Sequence, residues 1–157
     1  MEALAPFRTE APIHDVPLLP YLEEAGRGGF DITLEAWLLT PAMSEPLRLS
    51  RASFKESYWT LGQMVTHHTS NGCPIRPGDL VASGTISGPE KENRGCLLEL
   101  TWKGTEPVRL PNGEQRTFLQ DGDELTLTGY CVRDGFTRIG MGICRGTILP
   151  AGESETK

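Results

Sequence analysis

Glycine and proline interrupt this chain often enough to limit the length of its regular elements. Its 157 residues include 18 Gly and 12 Pro. Proline lacks a backbone donor and glycine favours turns, so this density favours short strands joined by turns over long helices. Four prolines lie in the first 20 residues: Pro6, Pro12, Pro17 and Pro20. They predict that residues 1–29 form an extended arm without a regular helix or central strand.

One segment carries a helical pattern. Five side chains between residues 53 and 70 repeat at helical spacing: Phe54, Tyr58, Leu61, Val65 and His68. Ser53 and Glu56 have the spacing of a capping box, and Gly72 follows as a left-handed stop. The sequence therefore predicts a helix over residues 53–70 that is long enough to cover one face of a sheet.

The other regular segments read as strands. They are residues 30–40, 47–49, 80–86, 96–102, 108–110, 115–119, 124–130 and 139–149. Asn112 and Gly113 form a hairpin signal between two of them. The predicted fold is mainly β with one long helix (α+β), a mixed β-sandwich roll over residues 30–150, followed by a polar tail at 151–157.

Charge and cysteine usage restrict the partners and the compartment. The formal net charge is −6 and no basic cluster is present, which argues against nucleic acid as a partner. No apolar run approaches the roughly 20 residues that span a bilayer, so we expect no membrane partner. The amino-terminal residues lack a signal-peptide pattern. We therefore expect a cytoplasmic chain whose four cysteines are reduced, small, buried side chains: Cys73, Cys96, Cys131 and Cys144.

Few residues carry a recognisable chemical signal by themselves. His67 and His68 are adjacent, so on a helix they point about 100° apart and are poorly placed to share a metal ion. Thr85 lies in a Gly-rich stretch that reads as either a tight turn or a ligand site. Glu99 lies between two leucines, where a carboxylate either faces water or is held by a partner. The residue pattern leaves both alternatives open.

Several longer motifs resemble one known family. Tyr-Trp-Thr at 58–60, Thr-His-His-Thr-Ser-Asn-Gly-Cys at 66–73 and the stretch from Arg76 to Glu90 closely resemble the C-terminal part of the fumarylacetoacetase family. Leu-Glu-Leu-Thr-Trp-Lys-Gly-Thr at 98–105 continues the resemblance. It covers nearly the whole chain, and it corresponds to about the last third of the family's enzymes.

The resemblance implies an activity and two site residues. The family hydrolyses a carbon–carbon bond in 4-fumarylacetoacetate, a 1,3-diketone acid, with Mg or Ca as Lewis acid and a His–Glu pair that activates water. Thr85 corresponds to a substrate-binding threonine, and Glu99 to the catalytic glutamate that orients the histidine. The family's metal ligands and its histidine precede the matched region, so we expect no metal ligands in this chain.

The resemblance also implies a partner. It predicts a homodimer, or pairing with an N-terminal segment, and an isolated chain without activity. The alternatives are a non-enzymatic domain that binds a partner, and a related superfamily hydrolase or decarboxylase that acts on another dicarbonyl acid.

Overall fold

The computed structural model describes residues 2–23 and 28–152. The described strands are β1 (Thr33–Leu39), β2 (Leu47–Ser53), β3 (Val108–Arg109), β4 (Gln115–Arg116), β5 (Glu124–Cys131) and β6 (Ile139–Thr147). The α-helices are α1 (Pro20–Glu23), α2 (Leu61–Thr69) and α3 (Leu97–Leu100), and 3-10 helices occupy Glu2–Phe7, Phe54–Glu56 and Lys91–Asn93. Parts of the predicted arm (1 and 24–27) and most of the predicted tail (153–157) lie outside the described residues.

The longer strands form an open antiparallel sheet. Its order is β2-β1-β5-β6, and β3 pairs with β4 in a separate hairpin. Register places Leu38 of β1 opposite Leu125 of β5 and Leu47 of β2. The predicted α+β class with antiparallel sheets is confirmed, whereas the predicted sandwich roll is not, because the described strands leave this sheet open.

The arm contributes to the core beside the sheet. Phe7, Phe30, Ile32, Phe54 and Cys131 form a buried apolar cluster. The amide of Asp31 donates to the Phe7 carbonyl at 2.8 Å, which holds the arm against the start of the sheet. The described arm nevertheless contains a 3-10 helix and α1, contrary to the prediction. Pro20 is the first residue of α1, a position where a missing N–H is tolerated.

Helix α2 begins later than predicted, and a different face of it is buried. Thr60 and Gln63 form its capping box, with Gln63 N donating to Thr60 Oγ1 at 3.2 Å and Thr60 N donating to Gln63 Oε1 at 3.0 Å. Leu61 and Val65 of the predicted stripe are about 40% exposed, whereas Gln63 is 2% exposed. The arm is the cause, since Gln63 Nε2 donates to the Leu22 carbonyl.

Two predicted strands are wrong. The run at 96–102 contains helix α3 in place of a strand. Cys96 is the extended N-cap of this helix, and a hydrogen bond from Lys103 N to the Leu98 carbonyl closes its other end. The run at 80–86 forms no strand, and Leu80 is 97% exposed. The strands predicted at 30–40, 47–49, 124–130 and 139–149 and the hairpin at 112–113 are confirmed.

A buried ion pair joins the β3-β4 hairpin to the main sheet. Arg116 of β4 donates from Nε and Nη2 to the two carboxylate oxygens of Asp123, at 2.9 and 3.0 Å. Both side chains are almost fully buried. The carboxylate of Asp123 raises the pKa of Arg116, so the guanidinium stays charged.

The cysteines are free thiols, but their burial differs from the prediction. Cys131 is buried, Cys96 is half-buried, and Cys73 and Cys144 are exposed. Cys144 lies on β6, where every residue after Ile139 is exposed. In residues 2–23 and 28–152, no helix combines the length and the apolar character needed to cross a membrane.

Candidate active-site segments

Thr85 lies in an irregular stretch between α2 and the third 3-10 helix. Residues 74–88 contain neither helix nor strand, and the backbone is left-handed at Gly84, where φ is +80°. Thr85 is exposed, whereas the next residue, Ile86, packs against the core cluster. The stretch is therefore anchored at Ile86 and presents the Thr85 side chain at the surface.

A second segment, residues 93–95, lies directly against this stretch. Gly88 N donates to the Asn93 carbonyl at 3.0 Å. A Cβ at Gly95 would lie 2.3 Å from the Ile86 carbonyl oxygen and 2.8 Å from Thr85 Cγ2. Only glycine permits this approach, so Gly95 sets the distance between the two segments.

Glu99 is held by two side chains near the start of α3. Ser87 Oγ donates to Glu99 Oε2 at 2.7 Å, and Cys96 Sγ donates to the same oxygen at 3.2 Å. These hydrogen bonds, that of Ser87 first, lower the pKa of Glu99, and the Arg94 guanidinium contributes in the same direction. Glu99 is exposed but anchored, so it presents an ionised carboxylate in a defined position.

The structure thus brings the segments of Thr85 and Glu99 together. Ser87 connects them, because it is two residues from Thr85 in sequence and bonded to Glu99. A cavity of about 480 Å³ reaches Ser83 on one side. A second, of about 480 Å³, is lined by Gly95, Cys96, Leu97 and Leu98. The Thr85 hydroxyl can hydrogen-bond a polar substrate, and the ionised Glu99 carboxylate can accept a hydrogen bond from an N–H or O–H donor.

The two histidines have separate partners. His67 Nδ1 lies 3.1 Å from the Tyr21 hydroxyl, and His68 Nε2 lies 3.3 Å from Cys73 Sγ. Both histidines are exposed. His68 lines a cavity with Leu61 and Val65, as the predicted stripe implies, although that face is not buried.

The described residues do not provide a metal site. Within 2–23 and 28–152, no group of three or more His, Cys, Asp or Glu side chains could hold a metal ion. In the acidic run at 121–124, Asp123 is already bonded to Arg116 and to the Gln120 amide. The Mg or Ca that the resemblance implies therefore does not fit the donor set of this part of the chain.

Sequence reasoning did not identify Ser87 or Cys96 as partners of Glu99. The strand predicted at 96–102 would have pointed Cys96 and Glu99 to opposite faces. In the one-turn helix they are three residues apart and face each other. The position of Ser87 two residues after Thr85 was the one indication in the sequence that Ser87 could belong to the site. No sequence motif connects Ser87 to Glu99.

Comparison with protein families identifies the class of this chain. The family model "Fumarylacetoacetate (FAA) hydrolase C-terminal" matches residues 23–149, a range that contains Thr85, Ser87 and Glu99. The chain belongs to this family.

Individual relatives give a closer comparison. Over 151 residues, 96% of this chain, it is 53% identical to a fumarylacetoacetase of Homo sapiens and 52% identical to one of Bos taurus. Identity to a fumarylacetoacetase of Oryza sativa subsp. japonica is 49% over the same length. The chain spans about a third of these relatives, at 36%, 36% and 35% of their lengths.

Proposed function

We propose that this chain supplies Thr85 and Glu99 to the active site of a fumarylacetoacetase. The reaction is the hydrolysis of 4-fumarylacetoacetate to fumarate and acetoacetate, in the cytoplasmic breakdown of tyrosine and phenylalanine. The observation that carries the proposal is the hydrogen bond between Ser87 and Glu99. It holds an ionised carboxylate beside the segment of Thr85, in a chain that is 53% identical to a fumarylacetoacetase.

Each residue has a distinct role in this proposal. Glu99 accepts the N–H of an imidazole, which fixes the ring's tautomer and leaves its other nitrogen to take a proton from water. The resulting hydroxide adds to the substrate carbonyl. The carbon–carbon bond then breaks, its electron pair passes to the acetoacetate fragment, and that carbanion is protonated. The Thr85 hydroxyl hydrogen-bonds the substrate, while the imidazole and the Mg or Ca ligands come from outside this chain's described residues.

The surface of the chain supports a partner for this site. Leu80 is 97% exposed and Ile143, on edge strand β6, is 74% exposed. Leu80 lines one cavity together with the exposed side chains of Leu61, Val65 and Ile75, and a contiguous exposed apolar patch marks a surface that another polypeptide can cover. We propose that this partner is the N-terminal two-thirds of the enzyme, and that the complete enzyme is a homodimer. The isolated 157 residues are then inactive.

A chimera tests the proposal. The matching third of the human relative is replaced by this chain, and loss of the ultraviolet absorbance of fumarylacetoacetate is measured. We expect the chimera to hydrolyse the substrate and the isolated chain not to do so. A folded, dimeric chimera without activity would contradict the proposal, and activity on a different dicarbonyl acid alone would favour the related superfamily hydrolase.

Two substitutions in the chimera separate the roles. Glu99→Gln should lower kcat by roughly 10²- to 10⁴-fold, because the base loses its orienting carboxylate. Thr85→Val should mainly raise KM for fumarylacetoacetate. Glu92→Gln is the matched control, since Glu92 is exposed on a neighbouring 3-10 helix and the same charge is removed. Equal activity of Glu99→Gln and Glu92→Gln would remove Glu99 from the mechanism.

A further inference from the structure

The two hydrogen-bond partners of Ser87 determine where its hydroxyl proton points. It donates to Glu99 Oε2 at 2.7 Å and accepts from the Gly95 amide at 3.0 Å. A serine hydroxyl has one proton, an amide N–H only donates, and an ionised carboxylate only accepts. The proton of Ser87 is therefore committed to Glu99.

The two carboxylate oxygens of Glu99 are not equivalent. The hydrogen bonds from Ser87 and Cys96 both end on Oε2, and Oε1 receives neither of them. The Ser87 bond is the stronger, because it is shorter and a thiol is a weak donor. Ser87 therefore fixes the rotation of the carboxylate about its last side-chain bond and leaves Oε1 for another donor.

Ser87 can fix Glu99 because it is itself fixed. Ile86 packs against the core cluster, and Gly95 contacts the same stretch without room for a Cβ. Among residues 2–23 and 28–152, the charged group that acts on Glu99 is Arg94, which donates to the Glu99 backbone carbonyl at 3.2 Å and lies over the Trp102 ring. Arg94 therefore adds charge near the carboxylate without determining which oxygen is free.

We propose that Ser87 is a positioning residue that holds Oε2 of Glu99 and directs Oε1 toward the imidazole N–H. Its consequence for the reaction rests on the proposed function. The hydrogen bond that positions Glu99 does not depend on the proposed function, because both of its residues belong to this chain. Two experiments separate these parts.

The first experiment measures Glu99 in the full chain without any substrate. Carbon-13 NMR of labelled glutamates follows the titration of Glu99, which is assigned by the loss of its signal in Glu99→Gln. We expect the pKa of Glu99 to be below the ordinary 4.5 of glutamate, to rise in Ser87→Ala and to stay low in Ser87→Thr. Ser70→Ala is the control, because its hydroxyl donates to the His67 carbonyl. An unchanged titration in Ser87→Ala overturns the proposal.

The second experiment measures catalysis in the chimera. Ser87→Ala should lower kcat by about tenfold to a hundredfold, the range of residues that orient a functional ligand, with KM within about twofold. The acid limb of kcat/KM, set by protonation of the imidazole, should move to higher pH, because a Glu99 carboxylate without the Ser87 hydrogen bond stabilises the imidazolium more strongly. Ser87→Thr should restore both properties. A Ser87→Ala chimera with unchanged kcat and acid limb overturns the catalytic part.

The two experiments distinguish the two failures. An inactive parent chimera, together with a Glu99 titration that responds to Ser87→Ala, overturns the proposed function and supports Ser87 as the anchor of Glu99. An active chimera with no response to Ser87→Ala in either experiment leaves the function in place and overturns the role of Ser87.

Discussion

The four-stranded sheet and the stretch from residue 74 to 104 are stabilised in different ways. The sheet repeats one interaction, the backbone ladder, over β1, β2, β5 and β6, and Leu38 on its interior strand β1 is fully buried. The stretch from 74 to 104 depends on single contacts, such as the Ser87–Glu99 hydrogen bond and the close approach at Gly95. A site built from single contacts can be altered by one substitution while the sheet keeps its pairing.

The largest loss of stability is expected at the buried ion pair that joins the β3-β4 hairpin to the sheet. Arg116→Ala leaves the buried carboxylate of Asp123 without its ion partner, and removing one partner of a buried pair destabilises by about 3–5 kcal/mol. The measurement is the urea dependence of unfolding. Lys91→Ala is the control, because Lys91 pairs with Glu106 at 3.0 Å with both side chains about half exposed, and exposed pairs contribute about 0–1 kcal/mol. Equal losses in the two variants would contradict the buried pair.

A smaller effect on stability is expected at Gly95. In Gly95→Ala the added methyl meets the Ile86 carbonyl and Thr85, and overpacking of this kind costs about 1–3 kcal/mol. The two segments should move apart, so the pKa of Glu99 should rise together with the loss of stability. Gly146→Ala in β6 is the control, because nothing lies within 4 Å of a Cβ there. A fully stable Gly95→Ala with an unchanged Glu99 titration would show that the segments are not in close contact.

The smallest effect is expected at the start of α2. Thr60→Ala removes the N-cap oxygen that accepts from Gln63 N and should cost about 1 kcal/mol. Thr66→Ala, inside the same helix, removes the same hydroxyl and should leave stability unchanged or raise it, because alanine favours helices. Urea unfolding of both variants checks the result. A loss in Thr66→Ala that equals the loss in Thr60→Ala would argue against a cap at Thr60.

The same contrast explains what the sequence could predict. Period-two alternation in 30–40 and the Gly122 turn before β5 are local signals, and both strands were predicted from them. The apolar run at 96–102 suits a strand or a helix equally well. Two hydrogen bonds favour the helix: Cys96 Sγ donates to Glu99, and Lys103 N donates to the Leu98 carbonyl. Neither hydrogen bond can be predicted from the spacing of apolar residues.

The site residues came from resemblance and not from periodicity. Thr85 and Glu99 were singled out because their motifs match a family, and their roles stay predictions. Ser87 was not predicted as a site residue, because its hydrogen bond joins residues 12 positions apart and its partner Glu99 lies in a segment that was predicted as a strand. The start of α2 was predicted wrongly for a different reason, because Thr60 and Gln63 have the same capping-box spacing as Ser53 and Glu56. The buried face of α2 depends on the packing of the arm on Gln63.

The left-handed backbone after α3 limits where the chain tolerates insertions. Trp102, Lys103 and Gly104 have φ values of 46°, 58° and 88°, and the bond from Lys103 N to the Leu98 carbonyl ends the helix after one turn. One extra residue inside this turn would shift the left-handed positions relative to the hydrogen bond between Lys103 N and the Leu98 carbonyl. Loop engineering should therefore succeed at the exposed hairpin tip at Gly113 and fail between Glu99 and Gly104.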